Sequence, residues 1–186
     1  MIRPLPFLST ILLSTILLGA CASLAPQTED SPFYPIPEGS RLILNGDLIV
    51  PARQLKVYVQ GARLATDAAR LYPYCVFELR QRQSTPQRIK ADTFTIYNVS
   101  SYIDYIAGID NPRRQYASLK IFQNSGEGPG LVTYATHLDL RSPEQPQVLR
   151  MICAILQDYD ISSHHLSIQQ IRAALGNTFT LQLPSG

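Results

Sequence analysis

The chain has 186 residues, 45% of them hydrophobic, which is enough apolar material for the core of one ordinary domain. Sixteen Lys and Arg against 14 Asp and Glu leave a formal charge of +2. No cluster of basic residues is present to neutralise phosphates, so the composition argues against a nucleic-acid partner.

Arg3 gives the N-terminus a positive charge, and Leu5 to Leu18 form an apolar run broken only by Pro6 and small hydroxyl residues. The run is short for a bilayer span and has the shape of a secretory signal. It ends in Leu18-Gly19-Ala20-Cys21. These four residues resemble a bacterial lipobox, whose small residues let a peptidase reach the bond before the cysteine. The resemblance implies that residues 1–20 are a signal peptide and that Cys21 becomes the lipidated first residue of the mature chain. One acyl chain binds a membrane only marginally, whereas the two or three carried by such lipoproteins hold it durably. In enteric lipoproteins an Asp after the cysteine favours the inner membrane, and here Ala22 follows. The expected address is the bacterial envelope, on the outer membrane facing the periplasm.

Residues 21–40 read as the lipidated cysteine and a tether, with Pro26, Pro32, Pro35 and Pro37 set among Ser, Thr, Glu and Asp. At about 3.1 Å per residue such a segment reaches up to roughly 50 Å. Phe33 and Tyr34 are out of place in a solvated spacer and are expected to pack on the near edge of the domain.

Residues 41–186 read as one β-rich domain. Arg41–Leu44 and Asp47–Val50 flank Asn45-Gly46, the strongest hairpin signal in the chain. Leu55–Gln60 alternates as a half-buried strand, and the alanines of residues 61–71 fit a short helix that Pro73 would stop. Strands are expected over about 74–82 and 88–99. Ser100–Pro112 reads as an irregular, Tyr-rich connection, and Tyr116–Gln123 as a further strand.

Beyond the glycine-rich Gly126–Gly130 the pattern sharpens. Val132, Tyr134, Thr136, Leu138 and Leu140 fall on one face; Thr133, Ala135, His137, Asp139 and Arg141 fall on the other. That alternation suits an antiparallel sheet with one solvated face. Residues 147–157 are apolar on both faces and read as a central strand. Ser167 and Gln170 have capping-box spacing, Leu166 and Ile171 that of a hydrophobic staple, and Gly176 supplies the helix stop. Thr178–Leu183 returns as a strand. The expected fold is mainly β: an antiparallel sandwich or open barrel of about seven or eight short strands with one short C-terminal helix.

With Cys21 assigned to lipid, Cys75 and Cys153 remain. Both sit at inward positions of alternating segments, and an oxidising periplasm permits their pairing. Such a bridge would add roughly 4–5 kcal/mol in the chain-entropy model. The alternatives are two buried free thiols or a catalytic cysteine, and no suitably placed base supports the latter.

Catalytic and metal signals are thin. His164-His165, with Asp158 and Asp160 before them, invite a metal site, but adjacent side chains diverge and zinc needs three or four convergent ligands. They read as exposed loop residues. His137, Asp139 and Arg141 share a solvated face, which fits either an acid–base group or plain cross-strand pairing. No G-x-S-x-G elbow occurs. The glycine-rich stretch lacks the Lys-Ser/Thr of a phosphate loop. No catalytic residue, metal or cofactor is therefore assigned.

Ten tyrosines and no tryptophan are a skewed inventory. Tyr97, Tyr102, Tyr105 and Tyr116 lie in or near one segment, and tyrosine is enriched at interfaces for its area and hydrogen-bonding tip. They form the candidate interaction surface. Lipobox, Pro-rich tether, two-cysteine β domain and the Ile171-Arg172-Ala173-Ala174-Leu175-Gly176 helix together resemble proteobacterial outer-membrane lipoproteins of no assigned activity. The tether, the near-neutral surface and the tyrosines point to a non-enzymatic, membrane-anchored binding or assembly module with an envelope protein as partner. A small-ligand or glycan carrier is the alternative, and an enzyme using His137 and Asp139 comes third.

Overall fold

The computed structural model describes residues 28–105, 130–158, 162 and 164–184. Cys21 and the lipobox lie outside these residues, as do Tyr116, the strand expected over Tyr116–Gln123 and most of the glycine-rich stretch.

The described residues form ten strands and one helix. These are β1 (Arg41–Leu44), β2 (Leu48–Val50), β3 (Lys56–Gln60), β4 (Arg63–Ala65), β5 (Tyr74–Leu79), β6 (Gln87–Ile89), β7 (Asp92–Tyr105), β8 (Leu131–Arg141), β9 (Val148–Asp158), α1 (Ile168–Leu175) and β10 (Phe179–Gln182). Eight strands make one antiparallel sheet in the order β10-β1-β7-β8-β9-β5-β3-β4, and β2 pairs with β6 in a separate ribbon. The large sheet curls into a half-barrel, so the open-barrel form of the expectation holds.

The inner face carries the main core. Phe77 packs against Phe94 and Phe179, ring centroids 6.0 and 5.2 Å away. Leu42, Leu44, Val57, Val59, Leu138, Leu140 and Met151 complete that face, and all are buried. Leu48, Val50 and Ile89 of the ribbon and Ile168, Ile171 and Leu175 of α1 close over it. The helix starts as its sequence dictates: Gln170 N–H donates to Ser167 Oγ (3.3 Å) and Ser167 N–H to Gln170 Oε1 (2.9 Å). At its far end the Gly61 N–H donates to the Ala174 carbonyl at 2.8 Å. Gly176 adopts φ 55°, and a Cβ there would overlap the Gly61 carbonyl. The helix therefore ties the β3–β4 end of the sheet to the β10 edge that it leads into.

Cys75 and Cys153 form a disulfide. They are directly opposed on β5 and β9, with Cα atoms 4.0 Å apart, a close-paired position of the antiparallel ladder.

Three local expectations are corrected. Asn45-Gly46 does not close a hairpin, because both edges of β1 are occupied, by β7 and by β10. The Asn45 amide instead donates to the Asn177 carbonyl (2.9 Å) and Thr180 Oγ1 (3.1 Å), fixing a crossing from sheet to ribbon. Residues 61–71 are not a helix: Gly61, at φ 63°, turns β3 into β4. The following segment then lies on the outer face, held by the Gln60 side chain to Ala69 and Pro73 and by Leu156 N–H to the Arg70 carbonyl. Finally, Ser100–Tyr105 are not irregular; β7 runs through them, paired with β8 as far as Tyr105 opposite Val132.

The chain before β1 is also part of the packed body. Ile36 belongs to the main core, and Tyr34 packs against it, while Phe33 remains 73% exposed. Gly39 N–H donates to the Ile96 carbonyl and Ile96 N–H to the Ser40 carbonyl, each at 2.8 Å.

Candidate functional site

The outer face of the sheet is where polar and aromatic side chains gather, and pairing register fixes their neighbours. One row runs Lys56, Glu78, Arg150, Asp139, Asn98 across β3, β5, β9, β8 and β7. The next runs Tyr58, Val76, Ile152, His137, Ser100, and the next Tyr74, Ala154, Ala135, Tyr102. At the β3–β5 end this face is covered, and Tyr58, Tyr74, Val76, Ala135 and Ala154 form a second, smaller buried cluster with Ala68 and Ile152. At the β7–β8 end it is open.

A β-bulge decides what stands there. Ile96 opposes Leu140 and Asn98 opposes Asp139, so Tyr97 is an extra residue in β7. Before the bulge even-numbered residues face the core, as buried Phe94 and Ile96 do; after it, even-numbered residues face outward. Tyr97 and Tyr102, five residues apart, thus share the outer face. Tyr97 is 37% exposed with the Arg141 guanidinium 4.6 Å from its ring centroid; Tyr102 is 52% exposed with its ring 4.3 Å from that of His137. Of the four tyrosines singled out by sequence, these two come together on one ledge. Tyr105 is placed only by register, and Tyr116 lies outside the described residues.

Polar groups beside the ledge meet one another across the strands. Asn98 Nδ2 donates to Asp139 Oδ2 at 2.8 Å. Arg150 Nε lies 2.9 Å from Glu78 Oε2, close enough for an ion pair though not aligned as a hydrogen bond. Arg150 Nη1 lies 3.3 Å from His137 Nδ1. A guanidinium only donates, so Nδ1 is the acceptor and His137 is a neutral imidazole with its proton on Nε2. Burial and then the Arg150 charge hold the His137 pKa below its usual 6.5, outweighing Asp139 and Glu78.

This geometry does not assemble an acid–base dyad. Asp139 Oδ2 accepts from Asn98 Nδ2, no hydrogen bond joins Asp139 to His137 among the described residues, and Arg141 stands over Tyr97. Nor are His164 and His165 exposed loop residues, since both are half-buried. His165 meets Tyr134 edge-on at 5.3 Å, and burial, with His164 beside it, lowers its pKa. His164 Nδ1 lies 2.8 Å from the His165 carbonyl. Among the described residues no three His, Cys, Asp or Glu side chains are grouped to hold a metal.

Comparison with known proteins finds no matching family model, no matching curated protein and no matching solved structure.

Proposed function

We propose that the chain is a lipid-anchored protein of the bacterial envelope whose β domain is a non-enzymatic binding module, with a protein partner seated on the Tyr97–Tyr102 ledge of β7 and β8. The lipobox-like Leu18–Cys21 supports the anchor. One observation carries the binding reading: two large aromatic rings stand exposed on a rigid sheet, each already held by a cationic or imidazole neighbour. Rings fixed before binding lose little rotamer freedom when covered, and their hydroxyls stay available to a partner's polar groups. Glu78 with Arg150 and Asp139 with Asn98 are already partnered, so covering the ledge leaves the Arg141 guanidinium, held over the Tyr97 ring, as the charge a partner must meet.

A carrier with a ligand between layers is less well supported, because the inside of the curl is filled by Phe77, Phe94, Phe179 and their neighbours. The enzyme reading lacks a His137–Asp139 hydrogen bond among the described residues on which to act.

Co-isolation from detergent-solubilised envelopes tests the proposal. Wild-type protein is expected to retain a discrete partner that the Tyr97→Ala/Tyr102→Ala variant loses at unchanged melting temperature. Equal recovery with both proteins would refute the ledge as the binding surface.

A further inference from the structure

Residues 29–40 are not free spacer. Arg172, on α1, ion-pairs through Nη1 with Glu29 and donates from Nε to the Leu181 carbonyl at 3.2 Å, joining the N-terminal segment, the helix and β10. Thr28 and Ser31 close a turn by a 2.8 Å backbone bond, Tyr34 packs on the main core and Ile36 is part of it. Ser40 is fully buried, its Oγ donating to the Pro37 carbonyl at 2.6 Å, and Gly39 joins the backbone ladder of β7. The side-chain contacts of Glu29, Tyr34 and Ile36 are on the side of α1 and the main core, while Gly39 and Ser40 join the sheet through its backbone. The tyrosine ledge is on the opposite face of the same sheet.

We infer that Glu29–Ser40 form a strap that sets the orientation of the domain at the membrane: the α1 side faces the bilayer, and the Tyr97–Tyr102 ledge faces away from it. The inference rests on the lipid anchor at Cys21 proposed above. With the strap docked, only the residues from Ala22 to Thr28 separate the anchor from the folded body. Seven residues extend at most about 25 Å, half the reach that the proline-rich composition allows for the whole tether. A link that short, leaving from one side of a rigid body, cannot let the opposite face turn onto the lipid surface. The partner is thereby confined to something reached from the periplasmic side.

The test uses the full lipidated chain in vesicles whose headgroups carry a paramagnetic label, with a reporter on Ala173→Cys or Tyr102→Cys. Cys21 and the disulfide leave these as the reactive thiols. Relaxation is expected to be markedly stronger at position 173, and the contrast is expected to shrink when about ten Gly and Ser residues are inserted between Thr28 and Glu29. Equal or reversed relaxation would overturn the inference. Flotation of the same vesicles separates the two readings, since a chain that does not float contradicts the anchor instead. In that case amide exchange reads the strap directly: slow exchange at Gly39 keeps it docked, and exchange at the rate of free chain removes it.

Discussion

Arg150 cannot accept a hydrogen bond, and together with burial that constraint sets the chemistry of the ledge. It keeps His137 neutral beneath Tyr102, and protonation would put two cations 3.3 Å apart. His165 is similarly disfavoured as a cation by burial against Tyr134. Both folded pKa values lie below the unfolded value of 6.5. The stability these groups contribute is therefore present above pH 6.5 and lost as pH falls through the lowered values. Melting temperature should drop between about pH 7.5 and about pH 5, on either side of the usual histidine value. His137→Gln, which still offers Arg150 an acceptor, should flatten part of that drop in a pH series of thermal melts. Gly176 is the other constrained position. Gly176→Ala forces a side chain into the left-handed region and onto the Gly61 carbonyl, and should cost at least about 2 kcal/mol in denaturant titrations.

The helix and the disulfide make separable contributions to holding the half-barrel shut. Ser167→Ala removes a cap acceptor that Gln170 uses and should cost about 1 kcal/mol, with no change in β content by circular dichroism. Reducing Cys75–Cys153 releases a cross-link spanning 78 residues and should cost about 2–5 kcal/mol in chemical unfolding. These elements were legible in sequence because their signals are local: a cap three residues long, and alternation that puts both sulfurs inward. The Asn45-Gly46 turn misled because hairpin chemistry says nothing about whether a strand's edge is already occupied, and β10, more than 130 residues away, occupies it. The bulge at Tyr97 was invisible for a related reason. An inserted residue shifts the alternation of β7 without changing its composition, and Ser100–Tyr105 read as irregular because their Tyr-rich run leads into Gly108 and Asn111-Pro112. Arg150 and Asn98 reach the site only through cross-strand register, which no single segment encodes.

Taken together, the architecture divides labour between the two sides of one sheet. The inner side buries the core, the helix and the strap, and the outer side is covered at β3–β5 and open at β7–β8. Mainly-β character and the late helix could be read from period-two and capping patterns, whereas curl and strand order depend on pairings across the whole chain. The tether was only half legible, since proline-rich composition does not reveal that Ile36 reaches the core. Ile36→Ala should accordingly destabilise the domain by about 2–4 kcal/mol in thermal melts, where a residue of a free spacer would cost nothing. The binding role of the ledge is tested most directly by photo-cross-linking in intact cells from positions 97 and 102, with the exposed position 49 on the β2–β6 ribbon as control. A discrete protein adduct is expected from 97 and 102 that position 49 does not give. Adducts common to all three positions, or none from the ledge, would contradict it.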